Sequence, residues 1–456
     1  MSVIDNKYWQ GEPLKAVIKF DENTEYTVFT NTEQTSDSNW IYKASFSLSE
    51  GNNKVNPLGI STSNRVNLQI YDKDDSLSPA NTKSTLYGKV VNGVEIDLYI
   101  SYDLGKTYES YGIFYATSWD GAFNEGWHGM INLSAEDKLN TIGNYDLPEL
   151  PAYANVQAGD LIANVFKGIG ISTSEYTIDP AINKELYYGV AQGGKVRDFI
   201  NNICQLLFAR VIIDREGIIR FVPALSFYNN CNEIILEGED TGSFQNKNNN
   251  NINYNKLSVK YLLAGDTSRA TIFSDNNHNL IVGENKINDI TFRNKVLSIE
   301  QVECIIDSKE NNTNIESMHY QGYQDGIEIT IKLSGEATTN CLIQGEGIVV
   351  STTSKNVTVT VDNTSVIGGS TFEFDTKQMM SESQATEIAN NLKEYMSKIS
   401  RNVIMQGTAL TPKLYVGDKV TIENTDTMYD GTYKIVALNI EFGENYSLSS
   451  TFIRLE

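Results

Sequence analysis

The sequence predicts a mainly β protein carrying a small α+β insert, on three observations. Short apolar stretches alternate with a period of two along much of its 456 residues. Tyrosine (25) and phenylalanine (17) are plentiful while proline (8) is scarce, which favours strands over long helices. Apolar residues recur every three to four positions, as on an amphipathic helix, in only three segments. The length corresponds to about three domains, enough to bury large cores.

The first 140 residues read as strands. Segments 16–20 and 26–30 flank a turn-like connection at 21–24, and 65–71 alternates cleanly with Val66, Leu68 and Ile70 on one face. Turn formers at 72–81 break that strand. Strands follow at 94–100, 111–119 and 127–133, and closing the set into an antiparallel barrel would remove its exposed edges. The character then changes. A helix over 158–169 puts Leu161, Ile162, Val165, Phe166 and Ile169 on one side, and a second over 194–208 aligns Val196, Phe199, Ile200, Ile203, Leu206 and Leu207. A hairpin, 209–213 and 218–222, is joined by Asp214-Arg-Glu-Gly217. Seven asparagines within 246–255 mark a loop or boundary, after which strands resume at 256–263, 327–333 and 357–361.

The last 75 residues open on one more helix. Ser381 and Gln384 have the spacing of a capping box, followed by Ala385, Ile388, Ala389, Leu392, Tyr395, Met396 and Ile399 on a single face. Leu414 and Val416 alternate before a Gly417-Asp418 turn, Val420 and Ile422 after it. Asp430-Gly431 opens a hairpin at 433–442, and 446–455 completes a second barrel-like set. The expected organisation is a first β-barrel at 1–140, an α/β insert at 141–223, a β-rich middle at 224–370, and a helix plus second-barrel strands at 371–456.

This order of elements, with particular residues, resembles the tail-hub, or baseplate-hub, proteins of long-tailed bacteriophages and related contractile bacteriocins. The segments that carry the resemblance are Ile70-Tyr-Asp-Lys-Asp-Asp-Ser-Leu-Ser-Pro79, Tyr111-Gly-Ile-Phe-Tyr-Ala-Thr-Ser-Trp119 and Ile131-Asn-Leu-Ser-Ala-Glu-Asp-Lys-Leu139. Asp214-Arg-Glu-Gly-Ile-Ile-Arg-Phe-Val-Pro223 and Pro412-Lys-Leu-Tyr-Val-Gly-Asp-Lys-Val420 complete them. The resemblance implies two tail-tube-like barrels per subunit and a homotrimer of pseudo-sixfold symmetry. Such a trimer joins a sixfold tail tube or distal tail protein to a threefold central spike or fibre, around a channel for DNA and the tape measure protein. It implies no catalytic residues, no cofactor and no metal, and a place in the virion tail after synthesis in the bacterial cytoplasm. Some members continue into a peptidoglycan-cleaving or fibre-binding extension; ending at Glu456, this chain is expected to hold a separate spike or lysin. The middle, 224–370, matches least.

Composition agrees with a structural role. The net charge is −22, spread along the chain, and mean hydropathy is −0.32. Duplex binding needs clustered Lys and Arg to displace counterions, so specific nucleic-acid binding is not expected, and anionic membranes are disfavoured for the same reason. No segment approaches 18 uninterrupted apolar residues, so no stable membrane insertion is expected, and no signal peptide is visible. Cys204, Cys231, Cys304 and Cys341 are scattered without CxxC spacing, which argues against a disulfide framework.

The candidates for chemistry are few. His128, His278 and His319 are too far apart in sequence for an ordinary zinc motif. Asp72, Asp74 and Ser76 resemble the start of a calcium loop, but Leu77 stands where glycine is needed and Lys83 where glutamate is needed, so a strand-end turn is expected. Trp119 and Trp127, flanking 120–126, fit either a sugar groove or aromatics packed across a hairpin. No GxSxG, HExxH, P-loop or GxGxxG occurs in a strand–helix context. The competing functions are a tail-tip peptidoglycan-degrading enzyme, with a site hidden in 224–370, and a carbohydrate-binding adhesin.

Overall fold

Seven strands near the N-terminus close into a barrel because each has one apolar face. In the computed structural model they are β1 (Leu14–Asp21), β2 (Thr24–Thr30), β3 (Trp40–Ser49), β4 (Arg65–Asp72), β5 (Glu95–Ile100), β6 (Glu109–Ala122) and β7 (Gly129–Glu136). The structure describes residues 13–30, 39–50, 63–103, 105–122, 129–148, 150, 153–189, 194–226, 234–236, 243–248, 254–306, 313–323, 326–335, 338–361, 370–399, 401–407, 414–423, 429–443 and 446–454. The ladder runs β3-β2-β1-β5-β6-β7-β4, and β4 pairs back onto β3. Ala16 and Ile18, Val66 and Leu68, Ile96 and Leu98, and Ile131 and Leu133 fill the interior. The period of two named most of these strands, but β3 escapes it. A register shift between Ile41 and Lys43 breaks the alternation before Ala44, Phe46 and Leu48 resume it.

The insert contains α1 (Lys138–Gly143), β8 (Tyr153–Gln157), α2 (Ala158–Gly168), β9 (Tyr176–Ile178), β10 (Glu185–Gly189), α3 (Val196–Leu207), β11 (Ala209–Ile213) and β12 (Ile219–Pro223). Both expected helices and the hairpin are present. Leu161, Ile162, Val165 and Phe166 of α2 meet Phe199, Ile200 and Ile203 of α3 and Phe221 of β12 in one core. Phe208 ends α3 in the left-handed conformation, φ +54°, which turns the chain directly into β11.

The middle consists of β13 (Ile234–Leu236), β14 (Ser243–Asn248), β15 (Tyr254–Leu280), β16 (Gly283–Thr291), β17 (Val296–Ile305), β18 (Thr313–Gly322), β19 (Gly326–Gly335), β20 (Thr338–Thr360) and β21 (Ser370–Met380). Two sheets, β17-β20-β15-β21 and β16-β19-β18, enclose a core that includes Ile272, Phe273, Ile329, Ile331 and Ile343.

The C-terminal unit has α4 (Glu382–Ile399), β22 (Arg401–Gly407), β23 (Lys419–Ile422), β24 (Gly431–Phe442) and β25 (Ser447–Arg454). The capping box is made: Ser381 Oγ accepts from the Gln384 N–H at 3.2 Å, and Gln384 Oε1 accepts from the Ser381 N–H at 3.1 Å. The apolar face of α4 packs on Phe208, Val259, Tyr261, Val436 and Ile453. Six strands, β13-β23-β24-β25-β22-β14, form the second set, with β13 and β14 at its two ends among the described residues. Thus 234–236 and 243–248, placed by sequence in the middle region, pair with C-terminal strands. The far half of β24 pairs with β3, Ala44↔Phe442 through Ser49↔Ala437, so the barrel and the second set are one thirteen-stranded sheet.

One local expectation is corrected. Leu414 and Val416 do not alternate on a strand: Leu414, Tyr415 and Val416 are all buried, in a turn that precedes β23. Gly417, at φ +89°, donates its N–H to Ile435 O at 2.7 Å, and Asp418 Oδ2 accepts from the Tyr415 N–H at 2.8 Å. Those two bonds fold the segment inward against the core.

Candidate functional site

Three parts of the chain meet at one junction. Strand β6 carries an extra residue opposite β5, since Leu98 pairs with Gly112 and Tyr99 with Ser110, and the extra residue is Tyr111. The bulge depends on glycine, because a Cβ on Gly112 would lie 2.7 Å from a Phe114 ring carbon. Tyr111 is buried, edge-on to Phe46 at 5.1 Å and to Tyr415 at 5.6 Å between centroids. The turn between β11 and β12 closes over them from the insert. Arg215 lies over the Tyr415 ring at 5.0 Å and the Tyr111 ring at 5.8 Å, and its Nη2 is 3.6 Å from Asp418 Oδ2. Ser110 Oγ donates to the Arg215 carbonyl at 2.8 Å. Asp214 shapes the turn: its Oδ1 accepts from the Glu216 and Ile218 N–H groups at 3.0 and 2.9 Å. Burial pushes the Asp418 carboxyl up to about 6, although Arg215 and the Tyr415 N–H pull the other way.

A second polar group closes the barrel rim. The Asn39 amide nitrogen lies 2.7 Å from Asp72 Oδ1, 2.9 Å from Asp74 Oδ1, 3.0 Å from Ser76 Oγ and 2.7 Å from Tyr26 Oη. Its oxygen accepts from the Lys73 N–H at 2.7 Å, which fixes the amide's orientation. Asp72 Oδ2 accepts from the Leu77 N–H at 2.9 Å. A neutral amide therefore sits where a calcium loop would converge on its ion, and 72–76 form the strand-end turn. Burial pushes Asp72 up to about 6. Asp137, fully buried, accepts from the Asn64 N–H at 2.9 Å and the Leu139 N–H at 3.0 Å, and burial outweighs those bonds to push it up to about 7.

Among the described residues the other candidate side chains singled out by sequence, His278, His319 and Trp119, are not brought together. His278 lies on β15, 3.2 Å from Asp275, while His319 lies on β18 in the other sheet; His128 falls outside the described residues. Among the described residues no three His, Cys, Asp or Glu side chains are grouped to hold a metal ion. Trp127 also lies outside the described residues, and Trp119 stacks on Phe20 at 6.3 Å and donates Nε1–H to Val91 O at 3.0 Å. Cys204 is buried, and burial pushes its thiol up to about 12. Cys231 falls outside the described residues. No described helix is long and apolar enough to cross a membrane.

What the surface offers is contact area. Ile281 and Val282, 65% and 51% exposed, sit at the β15–β16 turn, and Ile305, Ile315 and Tyr320 are exposed on β17 and β18. Among the described residues β17 pairs only with β20 and β18 only with β19, so both carry an open edge beside exposed apolar side chains. Periodicity located parts of β15, β19 and β20 but neither β17 nor β18, and which edges stay open is decided by pairing between distant segments.

The architecture is β-rich, and solved structures that share the fold include tail proteins. The chain is similar to the 43 kDa tail protein of prophage MuSo2 from Shewanella oneidensis, with a TM-score of 0.54 and 10% identity over 96% of this chain and 98% of that one. It is equally similar to a tail protein from Neisseria meningitidis MC58, with a TM-score of 0.54 and 6% identity over 98% and 97% of the two chains. No protein-family model and no curated protein matches the sequence. The chain has the fold of phage tail proteins, mainly β with an α+β insert, as the resemblance implied.

Proposed function

We propose that this protein is a structural component of a bacteriophage tail or a related contractile particle: the trimeric hub between the sixfold tube and a threefold spike or fibre. The observation that carries the reading is the fusion of the closed barrel to a second six-stranded set through β3 and β24. Two β units joined in one chain would let three copies offer six surfaces to the tube. The units divide as 1–140, 141–223, 224–370 and 371–456, with β13 and β14 lent to the last. The open edges of β17 and β18 suit contacts between neighbouring copies or with the spike. The charge of −22, carried into a trimer, suits a channel through which DNA and the tape measure protein pass without sticking. The protein is made in the bacterial cytoplasm and acts in the tail, without enzymatic activity.

Cryo-electron microscopy of the assembled particle tests this. Three copies around the tail axis, with an acidic lumen, are expected. A single off-axis copy, or a lumen lined by Lys and Arg, removes the hub reading. Purified protein is expected to release no peptidoglycan fragments and to bind no whole cells; either activity would favour the enzyme or the adhesin instead.

A further inference from the structure

Outside the assembly role, the middle region holds two thiols in contact. Cys304 lies on β17 and Cys341 on the neighbouring β20, with their Sγ atoms 3.2 Å apart. In the ladder Cys304 faces Ile343, so Cys341, two residues along β20, is its diagonal neighbour on the same side of the sheet. Cys341 is fully buried in the core with Ile331 and Ile343, whereas Cys304 is half-buried and reachable from solvent. Contact with Cys341 also holds the Cys304 thiol below its ordinary range, which favours the nucleophilic thiolate. Cys204, by contrast, is buried with its thiol pushed up.

The geometry points to a covalent cross-linking site: Cys304 and Cys341 join in an intrachain disulfide when the protein meets a low-molecular-weight disulfide such as oxidised glutathione. The Cys304 thiolate attacks one sulfur of the oxidant, forming a mixed disulfide and expelling one glutathione thiolate. Cys341 then attacks Cys304 Sγ and expels the second glutathione, whose departing sulfur takes up the Cys341 proton. Two protein thiols are oxidised and one glutathione disulfide is reduced to two thiols. The sulfurs need to approach by only about 1 Å to reach bonding distance. The bond spans 37 positions of sequence and cross-links the neighbouring strands β17 and β20 of one sheet, closing a loop that contains β18 and β19.

The full-length protein is incubated with excess oxidised glutathione and mapped without reductant. Peptides bearing Cys304 and Cys341 are expected to be linked, and the unfolding midpoint of the middle region to rise by roughly 5 °C or more. Cys304→Ser, at the half-buried position, should remove both the link and the rise; Cys341→Ser should leave glutathione trapped on Cys304. If Cys341→Ser fails to fold, the comparison with Cys304→Ser decides alone. Both thiols still open to alkylation after treatment, glutathione retained on Cys304 in the native sequence, or an undiminished rise in Cys304→Ser would each overturn the assignment.

Discussion

Arg215 lies over the ring of Tyr415, its guanidinium carbon 5.0 Å from the ring centroid, so the hairpin of the insert is clamped onto the turn that precedes β23. The clamp is partly withdrawn from water, with the Arg215 side chain 23% exposed and Asp418 11%. In that setting a cation–π contact and an ion pair each exceed their surface worth. Arg215→Ala should therefore cost about 1–3 kcal/mol of stability in urea titration. Arg215→Lys should recover only part of it, since lysine lacks the planar group that stacks on the ring. A loss below about 0.5 kcal/mol for the alanine variant would mean that the hairpin docks through its apolar residues alone.

Asn39 sits between two carboxylates, and its identity is the condition for their proximity. Asn39→Asp keeps the shape but replaces the donor that serves Asp72 and Asp74 with a third negative charge. The expected cost is about 2–4 kcal/mol near pH 8, shrinking towards pH 5 as Asp72, which titrates near 6, takes up a proton. Parallel denaturation curves at the two pH values check it. Equal losses at both would show that repulsion is not the cause.

That cluster also shows how far the sequence could be read. Asp72-Lys-Asp-Asp-Ser76 announced a turn by its residue types, and the calcium-loop alternative failed on Leu77 and Lys83. The partner that fixes it, Asn39, lies 33 positions away from Asp72. The same holds at the junction. Asp214-Arg-Glu-Gly217 read correctly as a tight connection, but nothing local said that Arg215 would cross to Tyr415. Helix α4 was legible to its cap because every determinant lies within one period of the helix. Strand β3 and the buried turn at 414–418 were not, because a bulge and a tertiary pocket there override the period of two.

Acid should stabilise this protein before it harms it. The carboxyls of Asp72, Asp418 and Asp137 are pushed up by burial, to about 6, 6 and 7. With folded values above the unfolded ones, the folded state binds more protons, so their contribution is complete below the unfolded values and is lost as pH rises through the folded ones. The melting temperature should accordingly climb as pH falls from 8 to 5, by an amount corresponding to a few kcal/mol (order of magnitude). Asp21, lowered to about 2 mainly by Lys89, and Glu175, lowered by Lys138, titrate beneath that window and oppose the trend only in stronger acid. Asp137→Asn should flatten the climb. A melting temperature that falls steadily from pH 8 to 5 would contradict all three assignments.

The last relationship is the buried ion pair that joins the barrel to the C-terminal unit. Lys434 Nζ lies 2.7 Å from Glu50 Oε1, with both side chains 2% exposed, and 3.4 Å from the Ala224 carbonyl. Glu50 also donates its N–H to Val436 O at 3.0 Å, so the pair seals the point where β24 leaves β3. Taking two charges out of water costs nearly what their attraction returns, but stranding one of them is far worse. Lys434→Met should thus cost about 3–5 kcal/mol by leaving the buried Glu50 carboxyl without its ion-pair partner. Adding Glu50→Leu to it should restore most of that loss, because two packed apolar side chains leave no orphaned charge. A double-mutant cycle by urea denaturation reads the coupling directly. If the double variant is as unstable as Lys434→Met alone, the pair holds the seam through geometry that apolar side chains cannot replace, and it then specifies how the two β units are joined.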